Sequence, residues 1–196
     1  GPGNTLGQAL IESPLVAGVT FTGSYDVGMK IFRDYANSRW VRPIILELGG
    51  KNPALVSRNA DLEQAATGIL RSAFGLQGQK CSACSRVFIE EPVYEELTRK
   101  LVALTETLVI GDPTERKTYL GPVINMSSFT DFKRFCEDLS QNGRFLTGGK
   151  VLASPPYDKG YFCEPTLVAD LPLDHPLWQK EMFVPITTLA PVKSLE

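Results

Sequence analysis

Short runs rich in β-branched residues alternate along this chain with longer stretches whose apolar residues recur every three or four positions. That alternation limits the fold more than any composition figure. Strands separated by amphipathic helices assemble as a parallel-rich sheet flanked by helices, an α/β architecture. Val16 to Phe21 reads as a strand ending in Thr22-Gly23-Ser24, followed by a helix from about Asp26 to Ser38. Pro43 to Leu48 is a second strand and Asn52 to Val56 a third, with Gly49-Gly50 between them as the one domain boundary the pattern offers. Asp61 is placed to cap a helix whose stripe is Leu62, Ala65, Ala66, Ile69 and Leu70, and which ends near Gly75 to Gly78. Arg86 to Ile89 is a strand. Pro92 starts a helix with Val93, Leu97, Leu101, Leu104 and Leu108 inward. Another helix covers Ser127 to Gln141, the stretch from Ser154 to Pro165 reads as a surface excursion, and Phe183 to Pro191 as the last strand.

The chain has 196 residues, 43% of them hydrophobic and 21% charged, which suits a packed globular protein rather than a disordered one. A formal net charge of -2 gives no cationic surface, so neither nucleic acid nor an anionic membrane is an expected partner. No apolar run approaches the ~20 residues that span a bilayer. No basic stretch precedes an apolar core near the start, so no signal peptide is expected. The opening Gly1-Pro2-Gly3, without an initiator Met, reads as a tag remnant or a cut into a longer protein. Four cysteines in a chain of this size do not suggest a disulfide scaffold, and a reducing compartment is expected.

Cys81 lies between a helix and a strand, among the small and polar residues Gly78, Gln79, Ser82, Ala83 and Ser85. Such a loop suits a ligand site at a sheet edge, and the nearby charges of Lys80 and Arg86 would favour a thiolate. A lone cysteine is nonetheless more often structural. Cys81 and Cys84 form a C-x-x-C pair, but Cys136 and Cys163 are single and the one histidine, His175, has no ligand spacing, so no metal is expected. A redox dithiol stays open, as does Cys84 as a small core residue. A Cys/His hydrolase would need His175 as its base.

Glu47 is an acid within the apolar run Ile44-Ile45-Leu46-Glu47-Leu48. Burial would raise its pKa toward the range of a general base; an edge strand would turn it to water. Thr22-Gly23-Ser24 between strand and helix suits a pyrophosphate at the helix N-terminus, or a plain N-cap. Gly1 to Gly7 resembles a glycine-rich phosphate loop, though no strand precedes it.

Taken in order, Phe21-Thr22-Gly23-Ser24, Leu46-Glu47-Leu48-Gly49-Gly50-Lys51-Asn52-Pro53, Phe74 through Gly78-Gln79-Lys80-Cys81, and Glu181-Met182-Phe183-Val184-Pro185 resemble the aldehyde dehydrogenase superfamily over essentially the whole chain. The middle two match its glutamate and cysteine active-site signatures. The resemblance implies that Cys81 is the nucleophile and Glu47 the general base. It implies that Gly23 and Ser24 lie under the pyrophosphate of NAD or NADP (NAD favoured), with Leu48 also at the cofactor. Glu181 would hold the nicotinamide ribose, Phe183 would pack beside the nicotinamide, and Gln79 would shape the nucleophile loop. Residues 1–49 would be the C-terminal part of a Rossmann-like NAD(P)-binding domain, and 50–196 most of a catalytic domain, incomplete at its C-terminus. The family's fourth motif usually has Gly where Val184 stands, which puts the turn at Phe183 in question.

Within the family, Gly78 to Arg86 and the stretch His175-Pro176-Leu177-Trp178 are most similar to the Δ1-pyrroline-5-carboxylate dehydrogenase group. That implies glutamate semialdehyde as the aldehyde, proline breakdown as its setting, and substrate carboxylate binding by Ser82. Another semialdehyde is the alternative substrate, and a piece inactive alone, with at most thiol esterase activity, the alternative function. Members are much longer, so the rest of its own polypeptide is an expected partner. A homo-oligomer is expected for the whole protein, in the cytoplasm or, in a eukaryote, the mitochondrial matrix.

Overall fold

The structure is a computed structural model that describes residues 1–195. By internal contacts the chain divides into two compact units, Gly1–Gly49 and the residues from Gly50 onward.

In the first unit, β1 (Val19–Thr22) pairs in parallel with β2 (Ile44–Glu47), Thr22 standing opposite Glu47. Between them runs α2 (Tyr25–Ala36), after a short α1 (Gln8–Glu12). Ser24 caps α2, its hydroxyl accepting from the Val27 N–H at 3.4 Å, and Asp26 in the first turn adds a favourable charge. Arg42 holds the unit together: its guanidinium donates to the carbonyls of Ile11, Ser13 and Val16 and lies over the Tyr35 ring at 4.0 Å. The strand expected from Val16 starts later, at Val19, because Gly18 packs against the Pro43 carbonyl and ring and only then does the ladder begin. The stretch Gly1 to Gly7, which resembles a glycine-rich phosphate loop in sequence, forms wide helical turns over Gly3–Gly7 that run into α1.

The second unit is built on one five-stranded sheet in the order β3-β4-β9-β8-β5: β3 (Asn52–Val56), β4 (Cys84–Glu90), β9 (Ile186–Val192), β8 (Thr166–Ala169) and β5 (Arg144–Thr147). All neighbours are parallel except β8 and β5. Side chains alternate across the pleat, so the inner strands β4, β9 and β8 serve two cores. Val87, Ile89, Leu167 and Leu189 join α3 (Leu62–Phe74) and α4 (Glu91–Glu106) in one apolar cluster. Val168, Ile186 and Ala190 join α5 (Met126–Asn142) and Trp178 in the other. The α/β class and the parallel-rich sheet flanked by helices are as the alternation dictates.

Several boundaries differ from the sequence pattern for local reasons. The stretch read as a surface excursion contains β7 (Phe162–Cys163), which pairs with β6 (Val151–Leu152) and is buried. Its aromatics draw it in: Tyr161 meets Phe129, and Phe162 meets Tyr157 edge-on. The short buried strand β8 escapes the pattern because its four residues carry no alternation. The last strand starts at Ile186 rather than Phe183, whose left-handed φ of 55° cannot continue an extended run. On α4, Leu108 falls beyond the helix, and Tyr94, Thr98 and Thr105 share the buried face with Leu97 and Leu101. Glu90, at the end of β4, accepts from the Arg58 backbone N–H at 2.5 Å and pairs with its guanidinium through both oxygens at 3.0 Å.

Candidate active site

Cys81 sits on the turn that joins α3 to β4. The helix stops because three successive residues enter the left-handed region: Leu76 at φ 53°, Gln77 at 56° and Gly78 at 69°. Such backbone in non-glycine residues is strained and persists only where the surroundings fix it. Here the surroundings are visible. A side-chain carbon on Gly78 would stand 2.6 Å from the Val184 carbonyl oxygen, so the chain of the Glu181–Pro185 motif passes directly over it. Gln79 braces the next residue, its Oε1 accepting from the Ile124 N–H at 3.0 Å. The Ala83 N–H donates to the Lys80 carbonyl at 3.0 Å, and the Cys84 N–H donates to the Ser72 hydroxyl at 3.2 Å. The loop therefore presents Cys81 and Ser82 outward while Ala83 and Cys84 turn into the core.

That division separates the two thiols of the C-x-x-C pair. Cys84 is a core residue, and burial pushes its thiol up to about 11. A high, buried pKa opposes the thiolate that dithiol exchange requires, so Cys84 serves packing. Cys136 and Cys163 are likewise buried, each thiol pushed up to about 12. Cys81 alone among the four is exposed. Arg86, expected near the thiol, instead donates to the Trp178 carbonyl at 2.9 Å and anchors the turn at Pro176–Trp178. His175 spends Nδ1 on the Leu177 N–H and sets Nε2 3.2 Å from Asp138, a local cap rather than a hydrolase base.

Glu181 lies in the same unit as Cys81. Its Oε1 accepts the Gly50 N–H at 3.0 Å. On the same residue, a side-chain carbon would overlap the Cys81 carbonyl oxygen, and the Asn52 carboxamide donates to that carbonyl at 2.6 Å. Between these two contacts Lys51 is drawn inward. Among the described residues its Nζ is buried without a hydrogen-bond partner. Burial pushes its pKa down to about 8; the like charge of Arg86 adds to the fall, and Glu181 and Cys84 oppose it. Thus Gly50, Lys51 and Asn52, the end of the glutamate signature, bring Cys81 and Glu181 together. In the sequence Gly50 stood out only as a boundary. Its place between Cys81 and Glu181 has no periodic signal.

Phe183 takes the left-handed conformation and leaves its ring 43% exposed, while Met182 and Val184 on either side are buried. The residue in the glycine-favouring region is thus Phe183 itself. Val184 needs no glycine: it is a 4% exposed core residue whose carbonyl accepts the Ile186 N–H at 2.7 Å.

In the first unit, Gly23 and Ser24 stand at the N-terminus of the twelve-residue α2. Gly23 lies against the Phe21 ring, where a side-chain carbon would meet it at 2.5 Å, and its N–H donates to the Glu47 carbonyl at 3.0 Å. The N-terminal end of a helix carries partial positive charge, which suits an anion. Leu48 packs on Gly28 of the same helix, which has no room for a side chain. Glu47 faces the exposed side of β2, the water-facing one of the two readings its apolar run left open. The two-stranded pair leaves that face uncovered.

Comparison with known proteins bears on the whole chain. Residues 1–196 match the aldehyde dehydrogenase family. The 1-pyrroline-5-carboxylate dehydrogenase of Geobacillus thermodenitrificans is 40% identical over 200 aligned positions, covering 100% of this chain and 38% of that protein. The solved structure of 1-pyrroline-5-carboxylate dehydrogenase from Thermus with bound NAD superposes with a TM-score of 0.91 at 33% identity, over 99% of this chain and 37% of that one. Betaine aldehyde dehydrogenase from Staphylococcus aureus, solved in complex with NAD+, gives 0.93 at 28% identity, over 99% and 39%. The chain therefore spans well under half the length of the relatives it matches.

Proposed function

This chain belongs to the aldehyde dehydrogenase family, and on that premise we propose that it is part of a longer NAD(P)-dependent enzyme that oxidises an aldehyde to a carboxylate through Cys81. One observation carries the reading: the only exposed cysteine is held at its carbonyl by the same short segment whose backbone N–H binds Glu181.

The chemistry follows from the side chains. The Cys81 thiolate attacks the aldehyde carbon and forms a thiohemiacetal, and the Cys81 backbone N–H can donate to the oxyanion. When bound, the nicotinamide would supply the hydride acceptor. As the oxyanion re-forms its carbonyl, the C–H bond of the former aldehyde breaks, hydride passes to that acceptor, and a thioester remains on Cys81. Glu47 takes a proton from a water molecule, the hydroxide attacks the thioester carbon, and the acid leaves with the thiol restored. Gly23 and Ser24 would hold the cofactor pyrophosphate at the α2 N-terminus, with Leu48 also at the cofactor. Glu181 would accept from the nicotinamide ribose. The exposed Phe183 would pack beside the nicotinamide.

The unit Gly1–Gly49 is then the C-terminal part of the NAD(P)-binding domain, and the unit from Gly50 the catalytic domain. The named relatives support glutamate semialdehyde as the substrate and proline breakdown as its setting. Ser82, exposed beside Cys81, is the donor for its carboxylate. The NAD in the Thermus structure favours NAD over NADP. The whole protein is read as a homo-oligomer of the cytoplasm, or of the mitochondrial matrix in a eukaryote. The test is steady-state oxidation of a panel of aldehydes by the whole protein with NAD and with NADP. Glutamate semialdehyde with NAD should give the highest kcat/KM. A tenfold preference for another aldehyde, about 1.4 kcal/mol of transition-state binding, would overturn the substrate.

A further inference from the structure

The strand β3 begins with an irregularity. Asn52 stands opposite Cys84, but Pro53 stands opposite Arg86, so Ser85 is an extra residue on β4. Bulges of this kind re-aim side chains beside functional loops. Pro53 brings no N–H to the ladder, and the break frees Asn52 from regular pairing. Its carboxamide reaches back across Ser82 and Ala83 to the Cys81 carbonyl at 2.6 Å. The Cys81 carbonyl is thus fixed from two sides, by the Asn52 donor and by the Gly50 backbone wedged against it.

We propose that Asn52 is a positioning residue for the nucleophile, and that Gly50 to Asn52 form a strap setting the Cys81 thiol and the Glu181 carboxylate relative to one another. This rests on the reading of Cys81 as nucleophile. Holding the carbonyl fixes the plane of the peptide that follows Cys81, and with it the backbone from which the thiol projects. The loop's other anchors include the Ile124 to Gln79 bond, a backbone bond at Ala83 and the part-buried bond from the Cys84 N–H to Ser72. None of these reaches Cys81 itself. Asn52 does, from an exposed position where substitution opens no cavity. Only a donor serves there, because the partner is a carbonyl oxygen. Aspartate keeps the shape and turns an oxygen toward that oxygen; serine is shorter but still donates.

The test is made in the whole protein with Asn52→Asp, Asn52→Ala and Asn52→Ser, each checked for an unchanged thermal melt. Asn52→Asp should lower kcat by about tenfold or more, the scale of a lost hydrogen bond plus a facing like dipole. It should slow alkylation of Cys81 by iodoacetamide in step and leave KM for NAD within about twofold. Asn52→Ala should fall less, and Asn52→Ser least. Packing alone would reverse that order, since aspartate is the closest match in shape. Wild-type kcat and alkylation in Asn52→Asp and Asn52→Ala would overturn the inference, as would a rise in KM for NAD with kcat intact. Cys81→Ala run alongside separates the two readings. If it stays active, the nucleophile assignment fails; if it is dead while Asn52→Asp is unaffected, only the positioning role fails.

Discussion

The Cys81 carbonyl oxygen occupies the space that a side chain on Gly50 would need. Gly50 also gives its N–H to Glu181, so any shift of its backbone reaches both Cys81 and Glu181 at once. Gly50→Ala should therefore lower kcat of the whole protein and raise KM for NAD together, by about tenfold or more in kcat/KM. Steady-state kinetics checks this. An alanine variant with wild-type constants would mean the two loops move independently.

Gly78 makes the second close approach, to the Val184 carbonyl, in a backbone conformation that L-residues rarely adopt. Gly78→Ala should destabilise the fold by about 1–3 kcal/mol. Chemical denaturation measures it directly, and an unchanged midpoint would contradict the packing described for this turn.

These two glycines show what the sequence displays and what it hides. Helices α3 and α5 follow from apolar stripes at helical spacing, and β3 from its bounding glycines. Cys81 and Glu47, the proposed nucleophile and base, stand out only as motifs in a fixed order. What tied the cysteine loop to Glu181 was invisible: the contacts of Gly50 and Asn52 join residues 29 and 131 positions apart, and no local period encodes such a distance. Of the two readings left open for Glu47, the water-facing one holds for a related reason. An apolar run predicts a covered strand only if something covers both faces, and β1–β2 in this chain is a two-stranded pair.

Glu90 carries a prediction about acid stability. The hydrogen bonds and charge of Arg58 hold its carboxyl down at about 2, from an ordinary 4.5. A depressed folded-state pKa contributes stability that is complete above 4.5 and is lost as the pH falls through about 2. Glu90→Gln should remove that contribution, so wild-type and variant stabilities converge across this window in an acid titration followed by circular dichroism. Parallel curves would contradict the pairing.

Lys51 acts with the opposite sign. Its folded-state pKa is lowered from 10.5 to about 8, so its buried charge penalises folding fully below about 8, and the penalty is relieved as the pH rises toward 10.5. Lys51→Met should raise the melting temperature at neutral pH, with the difference shrinking between those two values. A methionine variant less stable than the wild type at neutral pH would show that the ammonium has a partner it needs.

The central claim is that Cys81 forms the covalent bond to the aldehyde carbon. The direct measurement is NADH production by the whole protein with Cys81→Ala, alongside mass spectrometry of the quenched wild-type reaction. The account predicts a fall in kcat of about a thousandfold or more, and an acyl adduct on the wild-type peptide that contains Cys81. Dehydrogenase activity retained in Cys81→Ala, or an adduct on another residue, would contradict it.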